Sequence, residues 1–194
     1  MNANFLAANG AEVVTSHIGK FEDPEKRDIA KALPDIMTML CTNAGLSEST
    51  SIADIGAGTG LFLDRLANAA KQVFAMEISP HFVQHLRKKA EEGGLKNVEV
   101  VEGTIKDPCL PKQSIDVALV CDVYHHFEYP RTVCEHLREA LRPDGRLVII
   151  DFIRDEAVHK SHPPGWILDH VRAGQEVFRQ EIVEAGFTLV EEPS

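Results

Sequence analysis

A chain of 194 residues is long enough to bury one full core and too short for two ordinary domains. Its composition, 44% hydrophobic, 26% charged and 6% aromatic, is that of a globular chain rather than a disordered or fibrous one. Thirty acidic against twenty basic residues leave a net charge of −10, which repels a phosphate backbone and argues against nucleic acid as a partner.

Residues 1–22 carry no sustained period and read as an irregular N-terminal arm or a frayed first helix. The start lacks the basic n-region and apolar h-region of a secretion signal, and no apolar run approaches the roughly 18 residues that span a bilayer, so no membrane is expected. The folded domain is expected over 23–194. There Asp23 can cap a helix, Pro24 suits its first turn, and Ile29, Leu33, Ile36, Met37 and Leu40 form a stripe of period 3.6 that Pro34 should kink or divide.

Short apolar runs then alternate with amphipathic ones, the pattern of a parallel sheet with crossover helices. Strands are expected at Ser51–Ile55, Gln72–Glu77, Val98–Val101, Ile115–Cys121, Arg146–Asp151 and Thr188–Glu191. A helix opens at Ser79-Pro80 with Phe82, Val83, Leu86 and Ala90 inside, and Gly93-Gly94 stop it. Its Arg87-Lys88-Lys89 run reads as a solvated face. Another opens at Pro130, buries Val133, Leu137 and Leu141, and ends at Pro143-Asp144-Gly145. Between Arg154 and Gly174 the period is lost, and this segment should pass over the carboxyl ends of the strands, where open α/β sheets bind ligands. A last helix is expected over about 175–185. The fold class is α/β: one doubly wound, mostly parallel sheet with helices on both faces.

Cys41, Cys109, Cys121 and Cys134 form no C-x-x-C pair and no zinc spacing, which reads as reduced thiols in a cytoplasmic protein. The densest chemical signal is Asp54-Ile55-Gly56-Ala57-Gly58-Thr59-Gly60, a strand running into three glycines and a helix. Such a turn lets backbone approach a ligand and sets an anionic group at a helix N-terminus. A dinucleotide enzyme would need its third small residue at position 61, which is Leu61; the third glycine comes one residue early.

With that spacing, residues 20–190 resemble the class I S-adenosylmethionine-dependent methyltransferases of the small-molecule, Rossmann-like type. DIGAGTG matches the family's first motif, and Glu77 its second, an acid whose two oxygens can accept from both ribose hydroxyls. The resemblance implies S-adenosyl-L-methionine as cofactor and S-adenosyl-L-homocysteine as product, held by Asp54, Gly56, Ala57, Gly58, Gly60, Glu77, Ile78, Thr104, Ile105 and Cys121. Thr104 stands where the family commonly has an acid for the adenine amino group, and Ile78 and Ile105 would sandwich the ring. Asp122-Val123-Tyr124-His125-His126-Phe127, followed by Leu141-Arg142-Pro143-Asp144-Gly145-Arg146-Leu147, resembles the family's fourth motif and its turn before strand five.

Methyl transfer to a small-molecule acceptor needs that acceptor held in line, and its proton removed where it has one. His125 or His126 is the base expected, imidazole titrating near neutrality, with Asp122 beside it. No metal is expected, although Asp122-x-x-His125-His126 is similar to an acid-x-x-acid-histidine cluster in methyltransferases of ubiquinone biosynthesis that can bind one. The lid and acceptor pocket are expected between Arg154 and Gly174, with His159, His162, Trp166, Asp169 and His170; Phe21 and Arg27 resemble positions that close over the cofactor. The family sheet usually ends in an antiparallel pair, so its last strand is expected to be missing. A nicotinamide-dependent oxidoreductase and a catalytically inactive nucleoside-binding module are the alternatives.

Overall fold

The computed structural model describes residues 10–25, 27–160 and 162–190. Five strands form one parallel sheet in the order β3-β2-β1-β4-β5: β1 Ser51–Ile55, β2 Gln72–Glu77, β3 Val98–Glu102, β4 Ile115–Cys121 and β5 Leu141–Ile150. β1 and β2 are buried almost throughout, as strands covered on both faces must be.

Side chains of successive strand residues pack into different cores. Ile52, Val73, Val117 and Leu119 pack with Leu33, Ile36 and Leu40 of α2 (Asp28–Thr42) and Leu66 of α3 (Leu63–Ala69). Ala75 on that face meets Leu86 and Ala90 of α4 (Pro80–Glu92). Ala53, Ile55, Phe74, Met76, Ala118 and Val120 pack instead with α5 (Pro130–Ala140), α6 (Trp166–His170) and α7 (Gln175–Glu184). The expected doubly wound sheet is therefore present.

Several local expectations fail for identifiable reasons. Of the two readings of the arm, irregular or a first helix, Gly10–Phe21 takes the second as α1, and residues 1–9 lie outside those described. The second helix begins at Asp28 rather than Asp23, because Asp23 closes a turn of its own: its carboxylate accepts from the Glu25 N–H at 3.0 Å and its carbonyl from the Arg27 N–H at 3.0 Å. Pro34 lies inside α2 without dividing it. Pro34 is exposed while Leu33, Ile36 and Leu40 are buried, so the missing hydrogen bond falls on the side that water reaches.

Leu141, expected inside α5, is the first residue of β5 and pairs with Ile115; the ladder then shifts register and resumes at Val117–Arg146. A Cβ at Gly145 would stand 2.9 Å from Leu141 Cδ2 and 3.0 Å from the Arg142 carbonyl, so glycine lets that irregularity fold tightly. The segment expected to lack periodicity contains the short helix α6. The strand expected at Thr188–Glu191 is not formed by Thr188–Val190, where Leu189 and Val190 are exposed, and Glu191 lies outside the described residues. Among the described residues β5 is thus the edge strand on this side of the sheet.

Candidate active site at the switch point

In this strand order the connections reverse direction between β1 and β4, and a crevice opens beyond their carboxyl ends. The glycine loop follows β1. Gly56, Gly58 and Gly60 have φ of 73°, 54° and 79°, values that other residues adopt only at a cost. Both the Gly56 and Ala57 N–H groups donate to the Met76 carbonyl at 2.9 Å, which bends the loop over the end of β2. The glycines do different work. A Cβ at Gly56 would lie 2.7 Å from Val123 Cγ1, one at Gly60 3.0 Å from Leu86 Cδ2, and one at Gly58 would meet nothing nearer than the Gly56 carbonyl at 3.8 Å. Gly56 and Gly58 line the cleft, whereas Gly60 packs on α4 and is not among the lining residues.

Glu77 at the end of β2 accepts three backbone N–H groups: Gly58 at 3.0 Å, Ile78 at 2.7 Å and Ser79 at 3.0 Å. It ties the glycine loop to the start of α4. Burial raises its pKa, while the three donors pull it down. Asp54 lies close by and is more isolated. Its Oδ2 is buried without a hydrogen-bond partner among the described residues, and desolvation, followed by repulsion from Glu77, raises its pKa to about 7. Two buried acids with spare acceptor capacity fit a ligand that brings hydroxyl or ammonium donors.

Ile78, Thr104, Ile105 and Cys121 line the same cleft as Asp54, Ala57 and Glu77. The Thr104 hydroxyl, which stands where the family commonly has an acid, is committed to its own turn, accepting from the Asp107 N–H at 2.9 Å and the Lys106 N–H at 3.2 Å. Burial, then the neighbouring Asp54, Asp122 and Asp151 carboxylates, push the Cys121 thiol far up, so it stays protonated.

Phe21 and Arg27 close the N-terminal side of the cleft. The Arg27 guanidinium sits 4.0 Å over the Phe21 ring and ion-pairs with Asp122. Asp122 has φ 58°, a left-handed conformation uncommon outside glycine, and its N–H donates to the Ile150 carbonyl at 2.7 Å. That turn leads into a 3-10 helix, Tyr124–His126, whose neighbouring side chains diverge.

His126 lines the cleft and His125 does not. His125 is buried, its Nδ1 2.7 Å from Asp151 Oδ1 and its backbone N–H donating to Asp151 Oδ2 at 3.1 Å. Its ring lies 3.9 Å from that of His126 and 4.9 Å from that of His170 on α6. Burial, then His125 and His170, lower the His126 pKa to about 3; burial, then His125, lowers that of His170. Of the two histidines expected as base, His126 faces the cleft with its pKa lowered, and His125 is turned toward Asp151 instead.

Of the residues expected in the lid, His170 joins this cluster and Trp166 stacks on it, ring centroids 4.7 Å apart, with His162 stacked on the other side of the indole at 3.8 Å. His159 bonds the Ile153 carbonyl at 2.7 Å. His159, His162, Trp166, Asp169 and His170 do not line the cleft. Asp151 carries no mark of its own in the sequence, where it is only a strand end. The pairing of Cys121 with Ile150 supplies the missing signal, since it sets Asp151 beside the segment that follows β4.

A family model described as "Methyltransferase domain" matches residues 53–149 of the 194, the span from within β1 to within β5. The mitochondrial ubiquinone biosynthesis O-methyltransferase of Schizosaccharomyces pombe is 30% identical over 117 residues, 59% of this chain and 42% of that protein. The glycine/sarcosine/dimethylglycine N-methyltransferase of Actinopolyspora halophila is 25% identical over 181 residues, 90% of this chain and 32% of that protein. The chain thus spans less than half the length of these curated relatives. A crystal structure of a SAM-dependent methyltransferase from Aquifex aeolicus superimposes with a TM-score of 0.71 at 23% identity, covering 93% of this chain and 90% of that one. No helix among the described residues is long and apolar enough to cross a membrane. With the motifs, the sheet order and the family match in agreement, the chain belongs to the class I S-adenosylmethionine-dependent methyltransferases.

Proposed function

We propose that this chain transfers a methyl group from S-adenosylmethionine to a small-molecule acceptor bound where the switch-point cleft meets His126. The observation that carries this reading is one cleft whose lining includes Asp54, Gly58 and Glu77 together with Asp122, His126 and Glu128. S-adenosylmethionine supplies a methyl group on a sulfonium, an electrophile that needs no further activation. Asp54 and Glu77 offer acceptors for its ammonium and hydroxyl groups, Ile78 and Ile105 an apolar slot for its base, and Phe21 and Arg27 a cover.

The protein's contribution to rate is then chiefly to hold the acceptor and keep water out. A neutral His126 suits that role: it can accept a hydrogen bond from the acceptor and orient it, whereas an imidazole of pKa about 3 is too weak a base to ionise a phenol or amine. A net charge of −10 favours a small acceptor over nucleic acid, and thiols without a zinc or disulfide pattern suit a cytoplasmic protein.

Calorimetry with S-adenosylhomocysteine tests the cofactor half: the intact chain should bind it and Glu77→Ala should weaken binding at least tenfold, about 1.4 kcal/mol. Transfer from methyl-labelled cofactor to a panel of phenols, amines, thiols and arsenite tests the acceptor half. Binding without labelled product from any acceptor, protein lysates included, would instead support an inactive nucleoside-binding module.

A further inference from the structure

Behind the cleft wall, imidazole nitrogens of His125, His126 and His170 lie within 4.8 Å of one another. We propose that this trio is a transition-metal site of the zinc class, with Asp151 as its orienting carboxylate, against the sequence expectation of a metal-free site. Binding of the ion does not depend on the methyl-transfer reading.

The trio has the construction of a metal site rather than of a packed core. His125 is buried, and its Nδ1 is held by Asp151, which leaves Nε2 as the lone-pair nitrogen. That Nε2 is buried without a hydrogen-bond partner among the described residues, a costly state for an imidazole unless something fills it. Asp151 is itself fixed, accepting the N–H groups of His125 at 3.1 Å and Phe152 at 2.7 Å.

His170 is held as firmly. Trp166 stacks on its ring, and Arg154 anchors α6 by donating to the Leu168 carbonyl at 2.9 Å and the Val171 carbonyl at 2.8 Å. Zinc–nitrogen bonds of about 2.1 Å put two ligands of a tetrahedral ion roughly 3.4 Å apart, so small ring rotations bring these nitrogens onto one ion. Three imidazole ligands leave at least one coordination position open, and His126, shared with the cleft lining, sets the ion at the border of the acceptor half.

A second group within the same reach, Asp122, His125 and Asp151, fits less well. Asp122 is engaged by Arg27, and the His125 nitrogen facing Asp151 already carries its proton toward that carboxylate. The acid-first cluster Asp122-x-x-His125-His126 fails for the same reason. The third ligand comes from α6, distant in sequence.

Calorimetric titration of the full, chelator-treated chain with zinc chloride tests the site, with cobalt chloride as a spectroscopic probe. The expected result is one equivalent bound, with His170→Ala and His126→Ala each weakening affinity about 100-fold and Asp151→Asn about 10-fold. His136→Ala, on α5, should leave the affinity unchanged. Cobalt should give the intense visible bands of a tetrahedral ion without a near-ultraviolet thiolate band. His170→Ala, whose side chain is outside the cleft lining, should still bind S-adenosylhomocysteine as a check on folding. No zinc uptake by a chain that binds S-adenosylhomocysteine, uptake indifferent to His170→Ala, or a thiolate band implicating Cys121 would each overturn the proposal. Zinc uptake without S-adenosylhomocysteine binding would count against the methyl-transfer reading alone.

Discussion

Replacing Asp54 by asparagine should change the pH dependence of stability more than stability at any one pH. In the folded chain the Asp54 pKa is raised from 3.8 to about 7, by burial first and by Glu77 second. A carboxyl that holds its proton more tightly when folded contributes stability that is fully present below the unfolded pKa. That contribution is lost progressively as pH rises through the folded value. A shift from 3.8 to about 7, at 1.36 kcal/mol per unit, makes the loss on the order of 4 kcal/mol by about pH 8. The asparagine side chain cannot ionise, so the Asp54→Asn variant should lack this term. Urea unfolding of both proteins between about pH 5 and 8 measures it: the variant's stability relative to the parent should climb by more than about 1 kcal/mol per pH unit below pH 7 and then level off. Parallel stability curves would refute the buried-acid account. Any proton uptake by Glu77 in place of Asp54 would appear as a residual slope in the variant.

The glycines separate three functions that one motif joins. Gly56→Ala should destabilise by at least about 2 kcal/mol, since it combines a positive φ with a Cβ 2.7 Å from Val123 Cγ1, and Val123→Ala in the same chain should restore part of the loss in thermal unfolding. Gly58→Ala carries the strain of its positive φ but meets no atom closer than 3.8 Å, and its methyl group joins the cleft lining, so S-adenosylhomocysteine affinity should fall more than the φ strain alone lowers stability. Gly60→Ala should show the reverse, because its Cβ presses on Leu86 of α4 and not on the cleft. Equal losses of affinity in the last two variants would contradict this division.

The strands and the glycine loop were legible in the sequence because they rest on local signals: the buried β1 run, the spacing of glycines and the acid that ends β2. What was illegible depends on partners distant in the chain. Arg27 and Asp122 are 95 residues apart, and nothing near either marks the other. His125 and His126 are adjacent and chemically identical; only the 3-10 turn after Asp122 sends one toward the cleft and the other toward Asp151. Burial and the neighbouring imidazoles, which residue type alone does not reveal, lower the His126 pKa. Leu141 fell on a helical period by coincidence and was claimed by β4 pairing, where strand hydrogen bonds override side-chain periodicity. Thr188–Val190 has strand composition, yet among the described residues it does not pair with the edge of β5.

The Arg27–Asp122 pair gives a test of how the site divides its charge. The Asp122 side chain is 5% exposed and that of Arg27 is 27% exposed, so the two ends of the ion pair have unequal access to water. Burial raises the Asp122 pKa and Arg27 lowers it, which means the carboxylate relies on the guanidinium to remain charged. Arg27→Ala strands a buried carboxylate; it should cost roughly 1–3 kcal/mol at neutral pH, less than a fully buried pair because solvent screens the arginine side. Asp122→Asn strands only a guanidinium that can turn to water, and asparagine tolerates the left-handed φ of 58°, so its cost should stay below about 1 kcal/mol. The difference should shrink as pH falls and Asp122 takes up a proton in the Arg27→Ala chain. Urea unfolding at two pH values measures all three terms. Equal costs for the two variants, or a difference that grows in acid, would mean that Arg27 acts by packing on Phe21 and not by holding the charge at the mouth of the cleft.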